Sequence, residues 1–273
     1  MPIDRITRRD VATRLLTITA EHGAPTAARA RSSLSAMFVW AMGAGLVDAN
    51  PVIGTNRPEL PAGRDRVLDD SELTGIWRAC NDDDYGRIVR LLILTACRRE
   101  EVGAMTWDEI DVDRSMWTIP ASRTKNGRTH VLPLPQVAIE IIKSVPHVVD
   151  RDYLFGVRAA GFTLWSVHKR LLDARLGTIP PWRIHDTRRS VATGMANLGV
   201  QPHIIETVLN HYSGHRAGVA GVYNKSPYER EVKAALSLWA DHIQKLVEDT
   251  EVASIVGANK LPIYADETPA NPF

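Results

Sequence analysis

Apolar residues recur along most of this chain at three- and four-residue intervals, the period that places side chains on one face of an α-helix. Val11, Leu15 and Ile18 mark a first helix over residues 7–22, opened by the capping pattern Thr7-x-x-Asp10 and stopped by Gly23 and Pro25. A second starts near Thr26 and turns Ala30, Leu34, Met37, Phe38 and Ala41 to one side. Gly43 and Gly45 weaken its end, and Asn50-Pro51 closes the unit. Two such helices bury too little for an independent core, so they read as part of a small helical domain. Residues 57–66 hold Pro58, Pro61 and Gly63 without periodicity and read as a linker.

Beyond the linker, Asp69-x-x-Glu72 caps a helix whose Leu73, Ile76, Trp77 and Cys80 face inward. The stretch Tyr85 to Cys97 is apolar on most sides, which predicts a buried central helix. Met116 to Ile119 and His130 to Leu134 are short strand candidates around Lys125-Asn126-Gly127. Asn-Gly is a hairpin signal because both residues tolerate positive φ, and Lys125 then sits near the tip. Helices over 135–144 and 163–175 flank a short strand, Tyr153-Leu154-Phe155. Helices over 185–198 and 202–210 flank a turn at Gly199. After a Ser213-Gly214 loop comes Ala217 to Tyr223, then a helix over 228–246 with Val232, Ala235, Leu236, Trp239, Ile243 and Leu246 on one face. From residue 247 the chain turns polar and Pro-containing and reads as a mobile tail. The expected fold class is mainly α with a small antiparallel β-sheet, α+β.

Composition narrows the function classes. With 273 residues and 44% hydrophobic content a sizeable core is possible, yet no apolar run is long enough for a bilayer. The nearest, Ile88 to Ala96, is interrupted by Arg90, and Arg5, Arg8 and Arg9 lead into an amphipathic stretch rather than a signal peptide. Cys80 and Cys97 stand in unrelated contexts, which suggests neither a disulfide framework nor a zinc motif and fits a reducing compartment, the cytoplasm being the expected location. The net charge of +1 hides an asymmetry: +3 over residues 1–66, −4 over 67–150, +6 over 151–230 and −4 over 231–273. The most positive segment can steer an anion such as a nucleic-acid backbone.

Candidate chemistry concentrates around that segment. His185 and Arg188 stand three apart in a helix, which puts an imidazole and a guanidinium on one face. A charged fork beside a proton carrier suits a phosphate, though alone the pair also fits a solvated basic helix start. Arg98 directly follows the buried run, where an arginine is costly unless an anion or a carboxylate such as Glu100 or Glu101 meets it. Lys125 can reach over a site from its tip or merely aid solubility, and His211 ends the 202–210 helix. Arg5, Arg8, Arg9, Arg14, Arg29 and Arg31 could line DNA or form a solvated face. The helix, Gly turn and helix over 185–211 also resemble a helix-turn-helix, which offers a non-catalytic DNA-binding protein as the alternative. That alternative leaves Tyr223, Lys125 and Arg98 unexplained. A metal hydrolase lacks any HExxH or Cys/His pairing among the nine histidines.

Taken in order, Thr95-Ala96-Cys97-Arg98-Arg99-Glu100-Glu101, Thr124-Lys125-Asn126-Gly127, His185-Asp186-Thr187-Arg188-Arg189, Leu209-Asn210-His211 and Val222-Tyr223-Asn224 resemble the motifs of the tyrosine recombinases, most closely the integrases of prophages and genomic islands. The resemblance covers residues 3 to about 246. It implies a partial helical core-binding domain over 1–56, a linker over 57–66, a catalytic domain over 67–246 and a tail over 247–273. It implies Tyr223 as nucleophile on a DNA phosphodiester, Arg98 and Arg188 as grips on the non-bridging oxygens, and Lys125 as general acid. His185 would assist proton transfer, His211 would add a hydrogen bond to the phosphate, and Glu101 would buttress Arg98. No cofactor, metal or ATP is implied.

The implied partners are double-stranded DNA attachment sites, further copies of the chain (a tetramer on DNA) and accessory DNA-bending or directionality proteins, with no membrane. The implied setting is a bacterial or phage-encoded protein. Ala96 and Asn210 stand where the family commonly has glycine, and Thr187 fills a variable place. Residue 1 falls partway through the family's core-binding domain, without the opening helices and arm-type domain that the family carries ahead of it.

Overall fold

The structure, a computed structural model, describes residues 2–63, 65–157, 160–211 and 228–258. Its chain divides into two units, Met1–Asp65 and Arg66–Phe273.

In the first unit, α1 (Arg8–His22) begins at a capping box in which Thr7 and Asp10 satisfy each other's backbone N–H groups. Gly23 ends it at φ 81°, a left-handed conformation that a Cβ would strain. α2 (Ala24–Gly43) packs back on it around Val11, Leu15, Phe38 and Val52. Met37, expected on the inner side, is exposed, while Phe38 and Ala41 are buried as expected, together with Ala27. Arg31, one of the candidate DNA-facing cations, is turned to a structural task. Its guanidinium donates to the carbonyls of Val52 and Thr55 and to the Thr55 hydroxyl, fixing the turn after Asn50.

The second unit is built round α4 (Asp84–Thr95), whose Ile88, Val89 and Leu91 to Leu94 are all buried. α3 (Asp70–Ala79) enters through a capping box formed by Asp69 and Glu72. α5 (Arg99–Gly103) follows α4 directly, and α6 (Gln136–Lys143), α7 (Trp165–Arg175), α8 (Ile184–Asn197) and α9 (Pro202–Val208) complete the shell. The last helix, α10 (Glu229–Ala258), packs against α3, α4, α8 and α9. It continues well past Leu246, so residues 247–258 are helix where the sequence predicts a tail; residues 259–273 lie outside the described ones.

The sheet has three antiparallel strands in the order β1-β2-β3 among the described residues: β1 (Ile110–Asp111), β2 (Met116–Ile119) and β3 (His130–Pro133). β1 is too short for a periodicity to announce it. The ladder of β2 and β3 ends at Ile119 opposite His130, so the connection is longer than a two-residue hairpin. Only Gly127 takes positive φ, at 66°. The expected strand at Tyr153 is a single bridge to Thr106. Beyond it Gly156, at φ 98°, lies against the backbone of Gly161, where a Cβ would come within 2.2 Å of a carbonyl oxygen, so the chain bends away there. The mainly α architecture with a small antiparallel sheet agrees with the fold class read from the sequence. Cys80 and Cys97 are free and buried. No helix among the described residues is long and apolar enough to cross a membrane.

Candidate active site

Arg98 sits at the junction of α4 and α5. Ala96 ends α4 in the left-handed conformation, at φ 54°, which turns the chain so that Arg98 becomes the residue capping α5. Glu101, buried one turn later, accepts from the Arg98 backbone N–H at 2.7 Å and from its guanidinium Nη1 at 2.8 Å. One carboxylate thereby caps the helix and aims the arginine, which stays partly open to solvent.

Arg188 lies in the second turn of α8 and is only 5% exposed. Its Nη1 donates to the Ala96 carbonyl and its Nη2 to the Leu209 carbonyl, tying α8 to the ends of α4 and α9. Burial, with the Arg98 guanidinium nearby, brings its pKa down to about 10, which still leaves it charged at neutral pH. α8 itself starts at a cap in which Asp186 accepts from the Arg183 N–H at 2.8 Å. That start brings His185 to the surface one turn before Arg188.

Arg98, Lys125 and His185 line one open cavity of about 740 Å³, together with Arg99, Trp165, Lys169, Trp182 and Arg183. His211, just after α9, feels the charges of Arg188, Arg98 and Lys125. Burial, followed by the Arg188 guanidinium, holds both His185 and His211 below the ordinary histidine range. At neutral pH both are therefore uncharged imidazoles, able to accept a proton. Five of the six residues singled out in the sequence thus come together; Tyr223 lies in 212–227, outside the described residues. A guanidinium, an ammonium and an imidazole on one opening, with a second guanidinium and imidazole within charge reach, can hold a single tetrahedral anion and move protons beside it. No group of three His, Cys, Asp or Glu side chains among the described residues converges as a cation site would require.

Several supports have no signal in the sequence because their partners lie far apart. Arg123 donates to both oxygens of Glu109 at 2.7 Å and to the Glu101 carbonyl at 3.1 Å, and Trp117 Nε1 donates to Glu109 at 3.0 Å. This network pins the base of the Lys125 loop to α5. His130, 7% exposed at the start of β3, lies within charge reach of Glu101, Arg188 and Arg98. Burial lowers its pKa to about 4, so it too is neutral. Lys169 stands 3.9 Å over the Trp182 ring and Arg99 5.1 Å over Trp165, forming a basic, aromatic wall of the cavity.

With this geometry in view, the similarities to known proteins are informative. The model of the Phage integrase family matches residues 66–229. The chain is 27% identical over 241 residues to the prophage integrase IntA of Escherichia coli K12, covering 85% of this chain and 56% of that protein. It is 30% identical over 227 residues to a shufflon-specific DNA recombinase of Escherichia coli, covering 79% of this chain and 56% of the relative. The chain therefore spans a little over half the length of these relatives. In fold it resembles a lambda integrase dimer bound to a COC′ core site, with a TM-score of 0.61 at 20% identity over 78% of this chain and 81% of that one. It also resembles a lambda integrase tetramer bound to a Holliday junction, with a TM-score of 0.60 at 20% identity over 77% of this chain and 66% of that one.

Proposed function

The chain belongs to the Phage integrase family, and from that premise we propose that it is a site-specific recombinase that cuts and rejoins DNA strands through a covalent phosphotyrosyl intermediate. The observation that carries this reading is the gathering of Arg98, Lys125 and His185 on one cavity, with Arg188 and His211 within charge reach of them. The Tyr223 hydroxyl oxygen attacks the phosphorus, its proton passing to the neutral His185. The P–O5′ bond breaks with its electron pair going to the 5′ oxygen, which takes a proton from the Lys125 ammonium. The products are a 3′-phosphotyrosyl link and a free 5′-hydroxyl. Attack of a 5′-hydroxyl on that link reverses each step and reseals a strand, so the phosphodiester's energy is kept without ATP.

Arg98 and Arg188 hold the non-bridging oxygens, where negative charge accumulates as phosphorus becomes five-coordinate. His211 adds a hydrogen bond there. This pair of fixed cations does the electrostatic work that a divalent metal does in other phosphoryl-transfer sites. Tyrosine's ordinary pKa is near 10, and the surrounding cations favour the phenolate that the attack requires.

The substrate is double-stranded DNA carrying an attachment site of a mobile element in a bacterial cell. Residues 67–246 form the catalytic domain and residues 1–56 contribute to gripping DNA. Exchange between two duplexes requires several copies, a tetramer by analogy with the lambda integrase assembly on a Holliday junction, assisted by DNA-bending or directionality proteins. The test is to incubate the protein with suicide attachment-site DNA in EDTA. A covalent protein–DNA adduct is expected, abolished in Tyr223→Phe while DNA binding is nearly unchanged. An adduct that survives in Tyr223→Phe overturns the assignment, and magnesium-dependent cleavage with no covalent adduct favours a metal hydrolase.

A further inference from the structure

The β2–β3 connection carries Lys125 beyond the last paired residues, Ile119 and His130, so no ladder hydrogen bond fixes it. Its base is held by Arg123 on Glu109, and its turn by the Thr124 hydroxyl, which donates to the Arg128 carbonyl at 2.7 Å. At the tip, Gly127 supplies the positive φ, and Asn126 Oδ1 accepts from the Arg128 N–H at 3.2 Å, which leaves its Nδ2 to reach outward. Asn126 Nδ2 donates to the Asn210 carbonyl at 3.1 Å and to Asn210 Oδ1 at 2.9 Å, across 84 residues of sequence. The amide orientation is dictated by chemistry, because reversing it would set Asn126 Oδ1 against a carbonyl oxygen.

The receiving residue is itself firmly placed. Asn210 is 7% exposed and left-handed at φ 48°, a conformation asparagine tolerates better than most residues. Its N–H donates to the Thr207 carbonyl at 3.0 Å, and the next N–H, that of His211, to the Glu206 carbonyl at 2.9 Å. The clasp therefore joins the residue after Lys125 to the residue before His211. A glycine at position 210 would keep the φ and the backbone acceptor but lose Oδ1.

We propose that the Asn126–Asn210 clasp is a positioning device that sets the Lys125 ammonium against the leaving 5′ oxygen, in fixed relation to His211. The inference rests on the strand-transfer reading above. Asn126 and Asn210 touch no reacting atom; they act through Lys125, whose proton goes to the 5′ oxygen as the P–O5′ bond breaks.

The test compares ordinary suicide DNA with DNA in which sulfur replaces the bridging 5′ oxygen. A thiolate leaves without being protonated, so the sulfur substrate does not need the lysine's proton. Asn126→Ala should slow cleavage of the oxygen substrate about 10- to 100-fold, part of the ~10²–10⁴-fold that general acid catalysis supplies. On the sulfur substrate it should stay within about threefold of wild type, with DNA affinity within about twofold. Asn210→Gly should show a smaller loss, and the double variant should be no slower than Asn126→Ala, as expected for two halves of one contact. Asn126→Ala cutting the oxygen substrate at the wild-type rate, or slowed equally on both, overturns the clasp. A wild type inert on both substrates overturns the strand-transfer reading, and the clasp with it.

Discussion

Arg98, at the junction of α4 and α5, is tied to the carboxylate of Glu101, whereas Arg188, in α8, is tied to the carbonyls of Ala96 and Leu209. A carboxylate orients a guanidinium and cancels its charge; a carbonyl orients it and leaves the charge in place. Arg98 is the more exposed of the two, and Arg188 is nearly buried. The buried cation is thus the less compensated one, and its lowered pKa records that cost. The phosphate oxygen of the proposed substrate would relieve it. The two arginines look alike as letters, yet Glu101 holds one steady while the other is kept in want of an anion.

Replacing each guanidinium with a single ammonium separates the two roles. Arg188→Lys cannot bridge two carbonyls and a phosphate, so adduct formation should fall on the order of 10³-fold. Arg98→Lys can still meet Glu101 and should lose about tenfold. Equal losses, measured as single-turnover cleavage rates, would sink the distinction.

The cluster's tolerance for further positive charge is limited by burial. His130 lies within charge reach of Glu101, Arg188 and Arg98, and burial puts its folded pKa at about 4, below the ordinary 6.5. Between those values the unfolded chain binds a proton that the fold refuses. Stability is therefore complete above pH 6.5 and is lost as pH falls towards 4, by on the order of 3 kcal/mol. Urea midpoints across that range should fall less steeply for His130→Gln; parallel curves would show that the imidazole is not held neutral.

The smallest effect concerns the turn that brings the arginines together. Ala96 sits at φ 54°, so Ala96→Gly should raise stability by about 1 kcal/mol by relieving the left-handed strain. The carbonyl that accepts from Arg188 is kept, so cleavage should be unchanged. A lower melting temperature would mean that the Ala96 methyl packs for more than the strain costs.

What could be read in the chain was whatever neighbouring residues decide among themselves. The capping boxes at Thr7 and Asp69, the all-round apolar run of α4 and the Arg98–Glu101 pair each involve residues within a few positions. The gathering of Arg98, Lys125, His185, Arg188 and His211 was foreshadowed by motif order rather than by local physics. What escaped depends on distant partners. The Tyr153 segment meets only Thr106, with Gly156 lodged against Gly161. Met37 follows a helical stripe but faces solvent. His130 and the Asn126–Asn210 contact acquire meaning only when β3 and α9 are side by side.

The way α10 is moored has a consequence for rate. Trp239 Nε1 donates to the Ile93 carbonyl of α4 at 2.7 Å, and its ring occupies the space beside Gly194 of α8, where a Cβ would come within 2.3 Å. At the start of the same helix Tyr228 packs against His203 of α9, ring centroids 5.1 Å apart. The phenol proposed as nucleophile is five positions ahead of that mooring, and five residues of chain reach at most about 17 Å. Covalent geometry alone therefore keeps Tyr223 within that distance of a point fixed to the frame that carries Arg188. A nucleophile so linked has a local concentration fixed by the number of intervening residues, in the millimolar range or above, and diluting the enzyme cannot lower it. Once a protomer is seated on DNA, bond cleavage should proceed as a unimolecular event.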